Sequence, residues 1–235
     1  MSTRPENTFA NTTFAALAET DEQLSKLKGG EYSKAVSAER FNTAKAGLEA
    51  KGFKVTVAEN KDDAFEKLKG LIPAGASVNL AHSTTLEEIG FVNYLMGETP
   101  YDNVRGTILA EPDREKQAEL RRTIGTTVDY FLTSVGAVTE NGEMAHGDLT
   151  GTKVGGVAFG AKNVVVVVGS NKIVKDEAEA YKRITEWCFP FAGAYAREVL
   201  KVPGTSLVNY QVLRQANPFS PDRIKVLLIN EALGA

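Results

Sequence analysis

Three stretches of this 235-residue chain carry side chains whose types and spacing suit anion binding and proton transfer. In the first, Asn79–Gly90, an apolar run gives way to His82-Ser83-Thr84-Thr85, after which a helical pattern begins. Ser83 or Thr84 suits a helix N-cap, with Glu87 completing a capping box. The same geometry turns backbone N–H groups and the positive end of a helix toward a phosphate or carboxylate. His82, beside that turn, reads as a polar contact or a proton carrier near neutral pH. An ordinary cap, worth about 1 kcal/mol, explains the hydroxyl residues equally well.

The second stretch, Ser134–Lys153, contains Asn141-Gly142, a pair that predicts a two-residue type I′ hairpin within Ala137–Ala145. Turn-making accounts for those two residues but not for Glu140, His146, Asp148 or Lys153, which a solvated loop would carry only incidentally. The third, Gly169–Asp176, follows the most apolar strand and offers Lys172 to neutralise an anion and Asn171 to orient its oxygens. Asp176 suits the N-cap of the next helix, and Arg183 on that helix is expected to face solvent. The candidate ligand-binding set is therefore His82, Ser83, Thr84, Thr85, Thr150, Lys153, Asn171 and Lys172. Glu140 and Asp148 are the candidate acid/base groups, since carboxylates held in a closing loop can have usefully shifted pKa values.

No metal or other cofactor is expected. His82, His146 and Cys188 lack the short paired spacing of zinc sites. Cys188, the only cysteine and flanked by Trp187 and Phe189, reads as a small buried hydrophobe. A single cysteine excludes an intramolecular disulfide and fits a reducing cytoplasm. A net charge of −3 gives no global attraction to nucleic acid or anionic lipid. The longest apolar run, Val164–Val168, suits a strand rather than a membrane span, and polar Met1–Thr20 does not read as a secretory signal.

The elements that must position these residues alternate. Helical periodicity covers Ser33–Lys51, Asp62–Leu71, the stretch from Thr84, Asp113–Gly125, and Asp176–Trp187 continuing into Ala192–Leu200. Strands are predicted at Phe53–Ala58, Ser77–Ala81, Arg105–Ala110, Val128–Ser134, Asn163–Gly169 and Arg223–Asn230. Pro203–Asp222 reads as a long surface loop. The alternation predicts an α/β fold, an open and mostly parallel sheet with helices on both faces and an added β-hairpin. Residues 1–32 read as an N-terminal arm, partly helical around Phe14–Leu27, and residues 33–235 as a single domain. Loops after the strands should gather on one edge of the sheet, where ligands of such folds sit.

Ser83-Thr84-Thr85-Leu86-Glu87-Glu88-Ile89-Gly90, Ala137-Val138-Thr139-Glu140-Asn141-Gly142 and Gly169-Ser170-Asn171-Lys172-Ile173-Val174 together resemble the LUD (lactate-utilisation) family. The likeness covers about residues 33–200 and the closing strand. It implies a sheet shared with ribose-5-phosphate isomerases, glucosamine-6-phosphate deaminases and CoA transferases. It also implies an association with bacterial lactate oxidation, in which some members act beside iron–sulfur partners, while many have no assigned activity. Many relatives carry a cysteine cluster after the C-terminal helix. Thr205–Asp222 has none, which puts the role of those cysteines, metal binding included, in doubt here. Thr139-Glu140-Asn141-Gly142 is also similar to the Ser-Glu-Asn-Gly segment of CoA transferases, which would make Glu140 a carboxylate nucleophile.

The leading expectation is a cytoplasmic LUD-type protein binding a small anionic metabolite at the C-terminal edge of the sheet. The alternatives are a CoA transferase-like or phosphosugar-handling enzyme using Glu140, and a non-catalytic subunit or regulator. A homodimer and a protein partner reached through the N-terminal arm are the expected associations, with no nucleic acid or membrane.

Overall fold

The computed structural model describes residues 13–235. Its strands are β1 (Lys54–Ala58), β2 (Ser77–Leu80), β3 (Asp102–Asn103), β4 (Tyr130–Thr133), β5 (Ala137–Thr139), β6 (Met144–Asp148), β7 (Asn163–Gly169), β8 (Ile173–Val174), β9 (Asn209–Leu213) and β10 (Ile224–Ile229). Six form an all-parallel sheet in the order β1-β10-β7-β4-β2-β3, and four form a second, mixed sheet in the order β8-β5-β6-β9. The helices are α1 (Phe14–Thr20), α2 (Glu22–Ser25), α3 (Ala38–Ala50), α4 (Lys61–Leu71), α5 (Thr84–Glu88), α6 (Phe91–Met96), α7 (Val104–Ala110), α8 (Arg114–Arg122), α9 (Thr152–Gly155), α10 (Glu177–Arg183) and α11 (Phe189–Glu198). A π-helical turn, Ile184–Cys188, joins α10 to α11 without a break.

The five consecutive valines of β7 explain the layering. Side chains alternate across a strand, so Val164, Val166 and Val168 enter one core with Phe41, Leu48 and Ile108 from α3 and α7. Val165 and Val167 enter the other with Leu68, Leu86 and Phe91 from α4, α5 and α6. An apolar run buried on both faces is what a central parallel strand requires. Local signals set the helix ends. After α3 the N–H of Gly52 (φ +83°) donates to Glu49 O and that of Phe53 to Leu48 O, a Schellman closure with Leu48 and Phe53 packed together.

Three expectations are corrected, two of them by the second sheet. The hairpin is not type I′. Gly142 has φ +84° and its N–H donates to Thr139 O, while Asn141 does not take the positive φ that type I′ demands. Glu140-Asn141-Gly142 is instead a three-residue loop ending in a left-handed glycine, the arrangement of a type I turn plus bulge. Part of the expected surface loop 203–222 is β9, paired antiparallel with β6 from Met144↔Leu213 to Asp148↔Asn209. Its short alternating run was hidden between prolines. Arg105–Ala110, expected as a strand, lies in α7. Asn103 Oδ1 accepts from the Gly106 N–H at 2.9 Å, and Val104 and Ile108, four residues apart, are both buried on one helical face.

The described part of the N-terminal arm packs on its own chain. The Phe14 ring stacks on Trp187 at 4.4 Å, Leu17 and Leu24 join Phe191 and Tyr195 of α11, and buried Asp21 accepts from Arg197 Nε at 3.0 Å. Among the described residues no helix is long and apolar enough to cross a membrane.

The hairpin tip and α3 touch backbone to backbone through two glycines. A Cβ on Gly142 would lie 2.1 Å from the carbonyl carbon of Gly47, and one on Gly47 would lie 2.5 Å from Glu140 O. Gly142→Ala, strained in φ as well as crowded, is expected to destabilise the protein by about 2–3 kcal/mol. A urea titration will show this as a lowered midpoint at unchanged slope, and an unchanged midpoint would contradict the packing.

Candidate functional site

A cavity of about 500 Å³ opens at the C-terminal ends of β2 and β4, walled on the far side by β6 and α11. Its size suits a small metabolite. Four cationic side chains line it, Arg105, Arg121, Lys153 and Lys172, against one carboxylate, Asp148. The whole chain carries a net charge of −3, so the positive lining is local to this cavity.

Lys172 is 2% exposed, and its ammonium donates to Ser134 Oγ at 3.1 Å. Ser134 in turn accepts from Thr85 Oγ1 at 3.3 Å. Burial, reinforced by the positive charge of Arg183, pulls the Lys172 pKa from 10.5 to about 7. Burial also lowers Lys153 and Arg105. His146 is 1% exposed, lines the cavity, and has no hydrogen-bond partner at either ring nitrogen among the described residues. Burial, then repulsion by Lys153, depresses its pKa to about 3, so the ring is neutral at physiological pH. A neutral imidazole offers one donor and one acceptor, and leaving both unused in a buried position costs free energy.

The LUD domain model matches residues 41–229. The chain belongs to the LUD domain family. It is also similar to a crystal structure of a DUF162 family protein from Deinococcus radiodurans, at 13% identity and TM-score 0.42, over 83% of this chain and 99% of that one. No curated protein matches it significantly.

In this LUD domain the predicted residues separate into two groups. His82, Ser83, Thr84, Asp148, Thr150, Lys153 and Lys172 all line the cavity, and Thr85 stands just behind it on Ser134. His82 is half-buried, with Nε2 3.2 Å from Glu87 and its ring 4.3 Å from that of Tyr195. Ser83 is the N-cap, accepting from the Leu86 N–H. The helix it caps is only Thr84–Glu88, too short for a summed dipole, so the expected anion site at a helix start loses its main electrostatic support. Thr84 Oγ1 accepts from the Ala235 N–H at 3.1 Å.

Three candidates, Asp148 of the cavity lining among them, make contacts that hold local structure together. Glu140 is at the hairpin turn, outside the cavity lining, 2.5 Å from Arg40 Nε. The oxygens of Asp148 accept from the backbone N–H groups of Thr150, Lys153 and Val154 and so build the turn into α9. Asn171 ties the chain's last residues down, donating to Gly234 O and accepting from the Leu233 N–H.

Arg183, expected to face solvent, is fully buried. It donates to Gly136 O and, at 3.1 Å, to Cys188 Sγ, and its guanidinium lies 5.5 Å from the centre of the Tyr32 ring. Helix α10 turns this position onto the second sheet. Cys188 is half-buried at the cavity wall rather than sealed in a core. Ser134, Arg105, Arg121, Tyr195 and His146 are site residues absent from the predicted set. Only His146 gave a signal, as a histidine unexplained by turn-making. Among the described residues no three His, Cys, Asp or Glu side chains are grouped to hold a metal ion.

Two measurements test this electrostatic picture. Between about pH 7 and 10.5 the unfolded chain holds the Lys172 proton and the folded chain does not, so this group makes stability rise with pH across that window and is destabilising below it. Lys172→Met should therefore raise the melting temperature most near neutral pH, with the gain shrinking toward about pH 10. His146→Leu removes two unsatisfied polar atoms and should leave the melting temperature unchanged or raise it by up to a few degrees. A marked fall would mean that the ring is satisfied within the fold.

Proposed function

We propose that this LUD-family protein binds a small anionic metabolite, carrying a carboxylate or phosphate, in the cavity at the C-terminal edge of the parallel sheet. The observation that carries the proposal is the charge imbalance of the lining, four cations against a carboxylate already engaged by backbone N–H groups. Holding Lys153 and Lys172 in a poorly solvated wall is costly, and a bound anion would offset that cost. In the proposed complex Lys153 supplies charge, Lys172, Ser134 and His146 supply hydrogen bonds, and the Tyr195 and Phe191 rings cover the apolar part.

Resemblance to lactate-utilisation proteins makes small hydroxy and oxo acids the first ligands to try, and supports a reading within cytoplasmic organic-acid metabolism. The reading through Glu140 has no support from the cavity, because that carboxylate is paired with Arg40 away from it. A partner docking on the described part of the N-terminal arm would have to compete with Trp187 and Phe191, which the arm already covers.

A ligand that favours the folded state raises the melting temperature. Lactate, pyruvate and inorganic phosphate are the first panel. Lys172→Ala and Lys153→Ala should each weaken the responding ligand by about tenfold or more, the loss of one charge-assisted hydrogen bond, with secondary structure retained. Equal affinity in both variants and the parent would overturn the proposal.

A further inference from the structure

We infer that Lys172 is an imine-forming lysine, whose amine, held by Ser134 in the cavity wall, adds to the carbonyl of a small oxo acid anchored by its carboxylate. The inference rests on the proposed anion site and adds a chemistry to it. Four observations on separate residues support it. Lys172 lines the cavity although it is nearly fully buried. Its hydrogen-bond partner is a hydroxyl, not a carboxylate, and Glu88, the carboxylate whose charge favours its protonation, already accepts from the Gly234 N–H at 2.8 Å. Arg183 and Lys153 both repel a proton on it, which keeps the nitrogen lone pair available near neutral pH. Ser134 lies between Lys172 and Thr85, within hydrogen-bond reach of each, and so can pass a proton along with the bond changes. Lys153 remains to pair with the carboxylate of the oxo acid.

The step balances without an oxidant or reductant. The Nζ lone pair forms a bond to the carbonyl carbon, and the C=O π pair moves to oxygen. One nitrogen proton is relayed through the Ser134 hydroxyl to that oxygen, giving a neutral carbinolamine. The C–O bond then breaks as the nitrogen lone pair forms C=N, and the hydroxyl leaves with the second nitrogen proton as water. The imine can withdraw electrons from the neighbouring carbon, which is how lysine imines activate carbonyl substrates.

The test uses the full chain with pyruvate and sodium borohydride near pH 7.5, followed by intact-mass and peptide mapping. The expected result is one reduced adduct per chain on the Lys172 peptide. A neutral amine fraction roughly several hundred-fold above that of surface lysines gives the selectivity. Lys172→Arg should lose the adduct. Ser134→Ala should keep Lys172 but form the adduct several-fold more slowly. Dihydroxyacetone phosphate forms a second arm, and an adduct on Lys172 with this compound alone keeps the imine and changes the anchoring group to phosphate. Because mapping of the parent protein alone locates the label, the test stands even if Lys172→Arg folds poorly. Lactate, which has no carbonyl, reads the anion site separately. Lactate binding without any adduct overturns the imine and leaves the proposed function intact, whereas neither binding nor adduct removes both. Label spread evenly over surface lysines also overturns it.

Discussion

The burial of β7 is the constraint on which the rest of this structure depends. Val164–Val168 are wholly inaccessible to solvent, held between β10 and β4 by register-matched pairs from Ile224↔Val164 to Ile229↔Gly169 on one side and from Tyr130↔Asn163 to Thr133↔Val166 on the other. A strand buried on both faces can release its chain only at its ends. At the C-terminal end, Gly169 allows Leu233 to cross so closely that a Cβ would lie 2.5 Å from its carbonyl oxygen. The turn Ser170–Lys172 follows at once, and all three residues are buried. Lys172 is thus buried because β7 is central and its exit is covered, not because its own side chain favours burial.

The electrostatics follow from that placement. Arg183 has its guanidinium hydrogen bonds on backbone carbonyls and a thiol rather than on a carboxylate. Its charge therefore reaches Lys172 without a counter-ion between them, and Lys153 adds to it. Burial lowers the Lys172 pKa most, and in a low-dielectric wall the repulsion from Arg183 acts more strongly than in water and adds to it. Burial first, and then the charge of Lys153, keeps His146 neutral. The cationic lining of the cavity is the feature on which the proposed anion site rests.

The second sheet and the N-terminal helices complete the enclosure. One face of the second sheet joins the main core through Val138, Met144 and Ile173. The other packs under α10 and Trp187 through Ala137, Ala145 and Val174. Helices α1 and α2 press on α11 and so hold Phe191 and Tyr195, which line the cavity, Tyr195 lying over His82. What reads in sequence as an appended arm is, from Thr13 onward, a buttress for one wall of the site.

The hydrophobic pattern by itself determined the α/β class, the central position of β7, several helix boundaries, and the collection of Ser83, Thr84 and Lys172 at one sheet edge. Those features follow from side-chain periodicity and capping, which act within a few residues. The errors also have local causes. Arg105–Ala110 has the apolar content of a strand, and only the Asn103 cap and the burial of Val104 with Ile108 make it a helix; β9 is too short and too near prolines to announce itself before β6 is there to pair with it. Tertiary structure alone decided that Glu140 meets Arg40 away from the cavity, that Arg183 turns inward, and that Ser134 and His146 join Lys172. Contacts between residues some 40 to 150 positions apart leave no periodic trace, because they depend on which strand exits beside which and on the charge that each exit carries with it.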